Sequence, residues 1–239
     1  MDQQLAEIEA KLVKAAVRVR NRLDQEYESL KLTSPDDAGL FYHNLVPSNR
    51  IYAGEIDEPV AMKYLRHATG HVHKWVPILP FLSGLRKVYE IGVGPGYLFR
   101  MMMDYYSTDV VGCDIDPRKN LIFDKLRNEL GIADRVQLHR VISGHDIPIP
   151  EGTEGLCAFW TVFNFGWSVA DHAWFIEHCR EKLVGEKRLV LLFNARGYDD
   201  QPEIQEFYRN RARFPFLESD IAPRFHPRDK NAFCVLNLG

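Results

Sequence analysis

What this chain lacks removes several classes of function before any motif is read. No apolar run is long enough to cross a bilayer, and no apolar signal region opens the chain, so a cytoplasmic protein is expected. Cysteine is scarce: Cys113, Cys157, Cys179 and Cys234 are the only four, and no two form a C-x-x-C pair. They fall in apolar or helical stretches, which suits buried free thiols in a reducing compartment better than a disulfide framework. A surplus of positive charge is missing too. Thirty Lys and Arg face 33 Asp and Glu, the net charge is −3, and no long basic stripe appears. The electrostatic footprint of a nucleic-acid binder is therefore absent, and no nucleic-acid partner is expected. His67, His71 and His73 crowd together, but Gly70 weakens a helix there and no carboxylate completes a motif such as H-E-x-x-H. No metal site is expected.

What the chain does have is a strand that ends in an acid and runs straight into a glycine-rich turn, Lys87-Val88-Tyr89-Glu90-Ile91-Gly92-Val93-Gly94-Pro95-Gly96. Glycine reaches backbone angles closed to other residues and lets a ligand approach the main chain. Tyr97 to Tyr106 follows with no helix breaker, so strand, turn and helix make the first half of a βαβ unit. A second strand, Asp109-Val110-Val111-Gly112-Cys113, ends at Asp114, placed to accept hydrogen bonds from ribose hydroxyls. A dinucleotide fingerprint needs G-x-G-x-x-G, and Tyr97 stands where its third glycine belongs. Glu90 would repel a pyrophosphate, whereas it suits a ligand carrying an ammonium or sulfonium charge. Spacing and charge both favour S-adenosylmethionine.

On these residues, E-x-G-x-G-x-G from Glu90 to Gly96 and V-x-G-x-D from Val110 to Asp114, the sequence resembles the class I S-adenosylmethionine-dependent methyltransferases. The resemblance runs from about Leu85 to the C-terminus. It implies that the backbone of Gly92, Val93, Gly94 and Gly96 holds the methionine part, that Glu90 supports its amino end, that Asp114 binds the ribose and that Ile115 packs on the adenine. Asp146, after a third strand, would touch the adenine amino group, although His145 interrupts the family's usual G-D pair. Trp160 and Thr161, at the end of the fourth strand, would border the cofactor. The family's L-x-P-G-G-x-L signature has a counterpart in which Val184-Gly185-Glu186 replaces Pro-Gly-Gly.

The remaining elements come in the order such a fold needs. Helices are expected over 117–130, 168–183 and 201–213, and strands over 135–142, 156–162, 188–193 and 232–238. Alternating strands and helices imply an α/β architecture with a mostly parallel sheet covered on both faces. The resemblance makes that a Rossmann-like, doubly wound, seven-stranded sheet over residues 85–239. Residues 1–84 form a helical extension. Apolar residues from Leu5 to Leu30 recur at three- and four-residue steps, which gives an amphipathic helix over 3–31. Ser34-Pro35-Asp36-Asp37 starts a second helix and Asp57-Glu58-Pro59 a third. This segment reads as a substrate cap or as an arm for homodimerisation.

Methyl transfer from a sulfonium is a direct displacement, so the protein mainly aligns the reactants. A general base helps when the nucleophile is a hydroxyl or a protonated amine. His43, Tyr42 and His172 are the candidates. The run Phe159 to Trp167 holds several aromatics, which fit either a planar or apolar acceptor or simple packing. It has neither proline of the N-P-P-Y motif of amino-group methyltransferases. Three functions remain open: a small-molecule O- or N-methyltransferase that yields S-adenosylhomocysteine, an aminocarboxypropyl transferase using the same cofactor, and a non-catalytic S-adenosylmethionine-binding protein.

Overall fold

The computed structural model describes residues 3–45, 60–114, 121–159, 167–194, 202–209 and 231–239. Six strands form one sheet among them: β1 (Lys87–Ile91), β2 (Asp109–Asp114), β3 (Val136–Leu138), β4 (Gly155–Phe159), β5 (Arg188–Asn194) and β6 (Asn231–Asn237). Their order is β3-β2-β1-β4-β5-β6. The first five are parallel, and β6 runs antiparallel to β5. The chain winds outward from β1 in one direction through β2 and β3, then crosses back to β4. The carboxyl end of β1 is therefore the topological switch point, where open α/β sheets bind their ligands.

The parity of the strands sorts side chains to two cores. On one face Val88, Val110, Cys157 and Val190 meet helices α5 (Tyr97–Tyr106) and α6 (Leu121–Glu129). On the other, Tyr89, Ile91, Leu156, Leu189 and Leu191 meet α7 (Val169–Lys182) and α8 (Pro202–Arg209). A reciprocal capping box starts α7: the Asp171 amide donates to the Ser168 hydroxyl, and the Ser168 amide donates to Asp171.

The N-terminal residues supply α1 (Gln3–Thr33), α2 (Pro35–Leu45), α3 (Val60–Arg66) and α4 (Ala68–His73). The stripe Leu5, Ile8, Leu12, Ala15, Val19 and Leu23 is buried as its periodicity requires. These residues belong to the same continuous core as α5, α6 and the first sheet face. The Ser34 hydroxyl lies 2.6 Å from the Asp37 carboxylate at the start of α2. The third helix start, Asp57-Glu58-Pro59, falls outside the described residues.

Two expectations change. The sheet has six strands among the described residues where seven were expected, and residues 210–230 lie outside the description. The third strand, expected over 135–142, spans only Val136–Leu138. It is an edge with one neighbour, and its ladder ends where the His139 amide donates to the Asp114 carbonyl at 3.0 Å. From there residues 139–154 return to β4 without a helix.

Candidate functional site

Glu90, Gly92–Gly96 and Asp114 meet at the carboxyl ends of β1 and β2. The register pairs Glu90 with Gly112 and Ile91 with Cys113, so the turn leaves β1 beside the last residues of β2. It is tied there twice, because the amides of Gly92 and Val93 both donate to the Cys113 carbonyl, at 2.9 and 3.3 Å. Val93 folds back over β2 at Gly112. A Cβ on Gly112 would lie 2.5 Å from a Val93 methyl carbon and 2.7 Å from the Glu90 carbonyl oxygen, so only glycine fits under the turn. Gly96 ends the turn at φ +83°, a left-handed conformation that disfavours any side chain, and starts α5.

Asp114 is fixed from two sides. Its Oδ2 accepts from the Gly94 amide at 2.9 Å and from Arg127 Nη1 at 3.2 Å. The glycine turn and the acid that ends β2 are thus hydrogen-bonded to each other. Arg127 comes from α6, its side chain is 4% exposed, and its Cγ would stand 3.6 Å from a Cβ on Gly96. Sequence reasoning missed it. The available signal was a charged residue four positions after Phe123, on the face that also carries Ile122 and Leu126 into the core.

Glu90 differs from Asp114. It is 1% exposed, and its Oε2 has no hydrogen-bond partner among the described residues. Burial pushes its carboxyl well above the ordinary carboxylate range, and the nearby charge of Asp114 pushes the same way. A buried acid without a hydrogen-bond partner is costly to the fold.

The helical extension reaches this site through aromatic contacts. Phe123 lies within 3.9 Å of a Cβ position on Gly94, and its ring meets Tyr64 of α3 edge-on at 5.1 Å. The Tyr97 hydroxyl, at the start of α5, donates to the Tyr64 carbonyl at 2.8 Å. His71 stacks on Tyr64 at 4.2 Å, while His73 faces Glu9 at 3.5 Å, so these two histidines do not converge.

Other expected residues lie elsewhere. Asp146 is 71% exposed and bonds to Lys182 at 3.0 Å, with His178 at 3.6 Å. The Lys182 hydrogen bond holds its carboxyl below the usual range. His172 is fully buried, with Nδ1 2.8 Å from the Tyr208 hydroxyl, and burial lowers its pKa to about 4, so the ring is neutral. Tyr42 packs in a cluster with Tyr27 and Phe41, and His43 is exposed on α2. Tyr42 and His172 belong to the cores on opposite sheet faces, so the structure does not join them in one site. Ile115, Trp160 and Thr161 fall outside the described residues.

Comparison with known proteins establishes the fold. No family model matches the sequence, and no curated protein matches it either. Among solved structures, the chain is similar to a protein from Klebsiella pneumoniae provisionally described as an O-methyltransferase, at 9% identity and TM-score 0.52, covering 95% of this chain and 90% of that one. It is similar to another so described from Nostoc punctiforme, at 11% identity and TM-score 0.53, covering 84% of this chain and 66% of that one. The mitomycin 7-O-methyltransferase MmcR aligns at 12% identity and TM-score 0.49 over 74% of this chain, which spans 56% of its length. The chain therefore has the Rossmann-like fold of the class I methyltransferases.

Proposed function

We propose that this protein is an S-adenosylmethionine-dependent methyltransferase acting on a small-molecule acceptor. One observation carries the reading: Glu90, buried beside the glycine turn with an unpartnered carboxylate oxygen, next to an Asp114 fixed at the end of β2. That donor set fits a ligand with an ammonium at one end and ribose hydroxyls at the other. It does not fit a pyrophosphate, which Glu90 would repel.

Bound there, S-adenosylmethionine supplies a methyl group activated by its sulfonium. The chain's own work is binding and alignment. Glu90 holds the positive amino end, the left-handed glycines let the main chain come close, and Asp114 accepts from the ribose while Arg127 and the Gly94 amide keep it oriented. Residues 1–84 act as the cap over the acceptor. The contacts from Tyr64 through Phe123 to Gly94 support this, because they bring α3 to the turn. The four buried free thiols suit a cytoplasmic setting, and the balanced charge disfavours a nucleic-acid acceptor. No described helix is long and apolar enough to cross a membrane.

Calorimetry with S-adenosylmethionine, S-adenosylhomocysteine and NAD is the first test. Binding of the first two is expected, and binding of NAD alone would overturn the reading. Turnover with a pool of metabolites should then yield S-adenosylhomocysteine and an acceptor heavier by one methyl. Methylthioadenosine as product would mean aminocarboxypropyl transfer, and tight binding without turnover would mean a non-catalytic binder.

A further inference from the structure

Two buried acids and one buried cation share the sheet face beneath the glycine turn. The register sets Glu90 between Gly112 of β2 and Cys157 of β4, and Asp114 follows Gly112 by two residues. Side chains alternate along a strand, so Glu90, Asp114 and Cys157 all point to the face that α5 and α6 cover. Other charged groups on those helices are engaged elsewhere or exposed. In α5, Arg100 pairs with Asp104, and the Tyr97 hydroxyl donates to the Tyr64 carbonyl. In α6, Asp124 accepts from Asn128, Lys125 is exposed, and Glu129 is held by Arg18 and Arg22. Arg127 is the cation that comes inside, and it goes to Asp114 at 3.2 Å. Glu90 Oε2 has no hydrogen-bond donor among the described residues.

Two carboxylates in a dry site cannot both ionise against one cation without leaving an unbalanced buried charge. One of them therefore keeps a proton while the pocket is empty, and the contacts decide which. Asp114 accepts from a guanidinium and from the Gly94 amide, and both favour its charged form. Glu90 has neither. Burial and the charge of Asp114 push the Glu90 carboxyl up, in keeping with that division. Burial also raises the thiols of Cys113 and Cys157, so neither competes for the role.

We propose that Arg127 is the positioning residue that fixes the charge of the pocket: by holding Asp114 ionised it leaves the proton to Glu90, so the empty pocket is neutral and an entering ligand replaces that proton with a single ammonium. What the ligand replaces rests on the cofactor reading, whereas which acid holds the proton does not. Without Arg127, both acids compete for protons and titrate as a coupled pair.

The free protein tests the assignment by NMR titration, with aspartate carboxyl carbons labelled in one sample and glutamate in another. The wild type should show a glutamate that titrates above the ordinary carboxylate range and is lost in Glu90→Gln. Asp114 should not titrate there. Arg127→Met should add an aspartate above that range, which Asp114→Asn removes, and Arg127→Lys should keep the wild-type pattern. S-adenosylhomocysteine should bind Arg127→Met at least about tenfold more weakly near neutral pH, because a protonated Asp114 loses its charge-assisted bonds. That deficit should shrink as pH rises.

A wild-type Asp114 that titrates above the ordinary range overturns the proposal. So does an Arg127→Met aspartate titration like that of the wild type, or a binding deficit that stays constant with pH, the mark of a merely structural role. Where Arg127→Met fails to fold, the labelled wild type and Arg127→Lys decide. If S-adenosylhomocysteine does not bind while the carboxyls titrate as stated, the cofactor reading fails and the assignment of the proton to Glu90 stands.

Discussion

Helix α6 carries two charged residues two positions apart that face opposite worlds. Arg127 turns inward to Asp114 beneath the glycine turn, with its side chain 4% exposed. Glu129 turns outward and holds Arg18 and Arg22 of α1, whose side chains are 46% and 63% exposed. The outer cluster is complete, because each carboxylate oxygen of Glu129 meets an arginine. The inner one is unfinished: Glu90 Oε2 and Arg127 Nε both lack partners among the described residues. Charges that only staple a surface can be satisfied where they stand. Polar groups kept dry and incompletely paired lower stability, and a fold keeps them where a ligand completes the set.

The contrast is broken most directly by Arg127→Met. The substitution keeps the bulk and removes the charge, leaving Asp114 buried without its cation. Breaking one side of a buried pair costs about 3–5 kcal/mol. Chemical denaturation should show a loss of that size. A loss below about 1 kcal/mol, the range of exposed pairs, would mean that the inner pair is no different from the outer one.

Asp114→Ala acts on the ligand side of the same cluster. Loss of charge-assisted hydrogen bonds to the ribose should cost about 1.5–3 kcal/mol of cofactor binding. Calorimetry with S-adenosylhomocysteine measures it, and unchanged affinity would remove Asp114 from the site.

These two neighbours differ in how far the sequence revealed them. Asp114 could be read because its role follows from position alone, as an acid ending the strand after a glycine turn. Arg127 could not, because its meaning lies in a tertiary contact between α6 and β2. The same division runs through the fold. The α1 stripe, the βαβ unit around Gly92–Gly96 and the start of α2 at Ser34-Pro35-Asp36-Asp37 are local patterns, and each forms as its pattern requires. The short β3 and the helix-free return to β4 depend on having one neighbour and on the path beside α7, which periodicity does not encode. The contacts of Asp146 with His178 and Lys182 of α7 are tertiary in the same way.

Glu90 should make binding proton-linked. Its raised carboxyl pKa means that the free protein keeps a proton there between the ordinary carboxylate range and the shifted value. A ligand ammonium favours the ionised form, so binding expels that proton. Affinity then climbs with pH through this window by at most about tenfold per pH unit for one proton, and levels off above the shifted pKa. Asp114, Cys113 and Cys157 surround the group, and burial raises both thiols out of the same window, Cys113 to about 11. Calorimetry in buffers of different ionisation heat should count the released proton, and Glu90→Gln should flatten the slope. A wild type with no slope would mean that Glu90 stays ionised without its ligand.

The smallest effect belongs to the outer cluster, and its smallness is the point. Glu129→Gln leaves the shape of α6 unchanged and removes the charge that Arg18 and Arg22 share. Both arginines are long, half-exposed and free to turn to water, so the loss is that of a surface pair, within about 1 kcal/mol and smaller in high salt. Cofactor affinity should not move, although Glu129 lies only two residues from Arg127. If denaturation instead showed a loss as large as that of Arg127→Met, α1 would be held to the sheet by charge rather than by its apolar stripe. If S-adenosylhomocysteine binding weakened as well, the two clusters would be one coupled network through α6, and the distinction between a stapling pair and a ligand-completing pair would not hold in this protein.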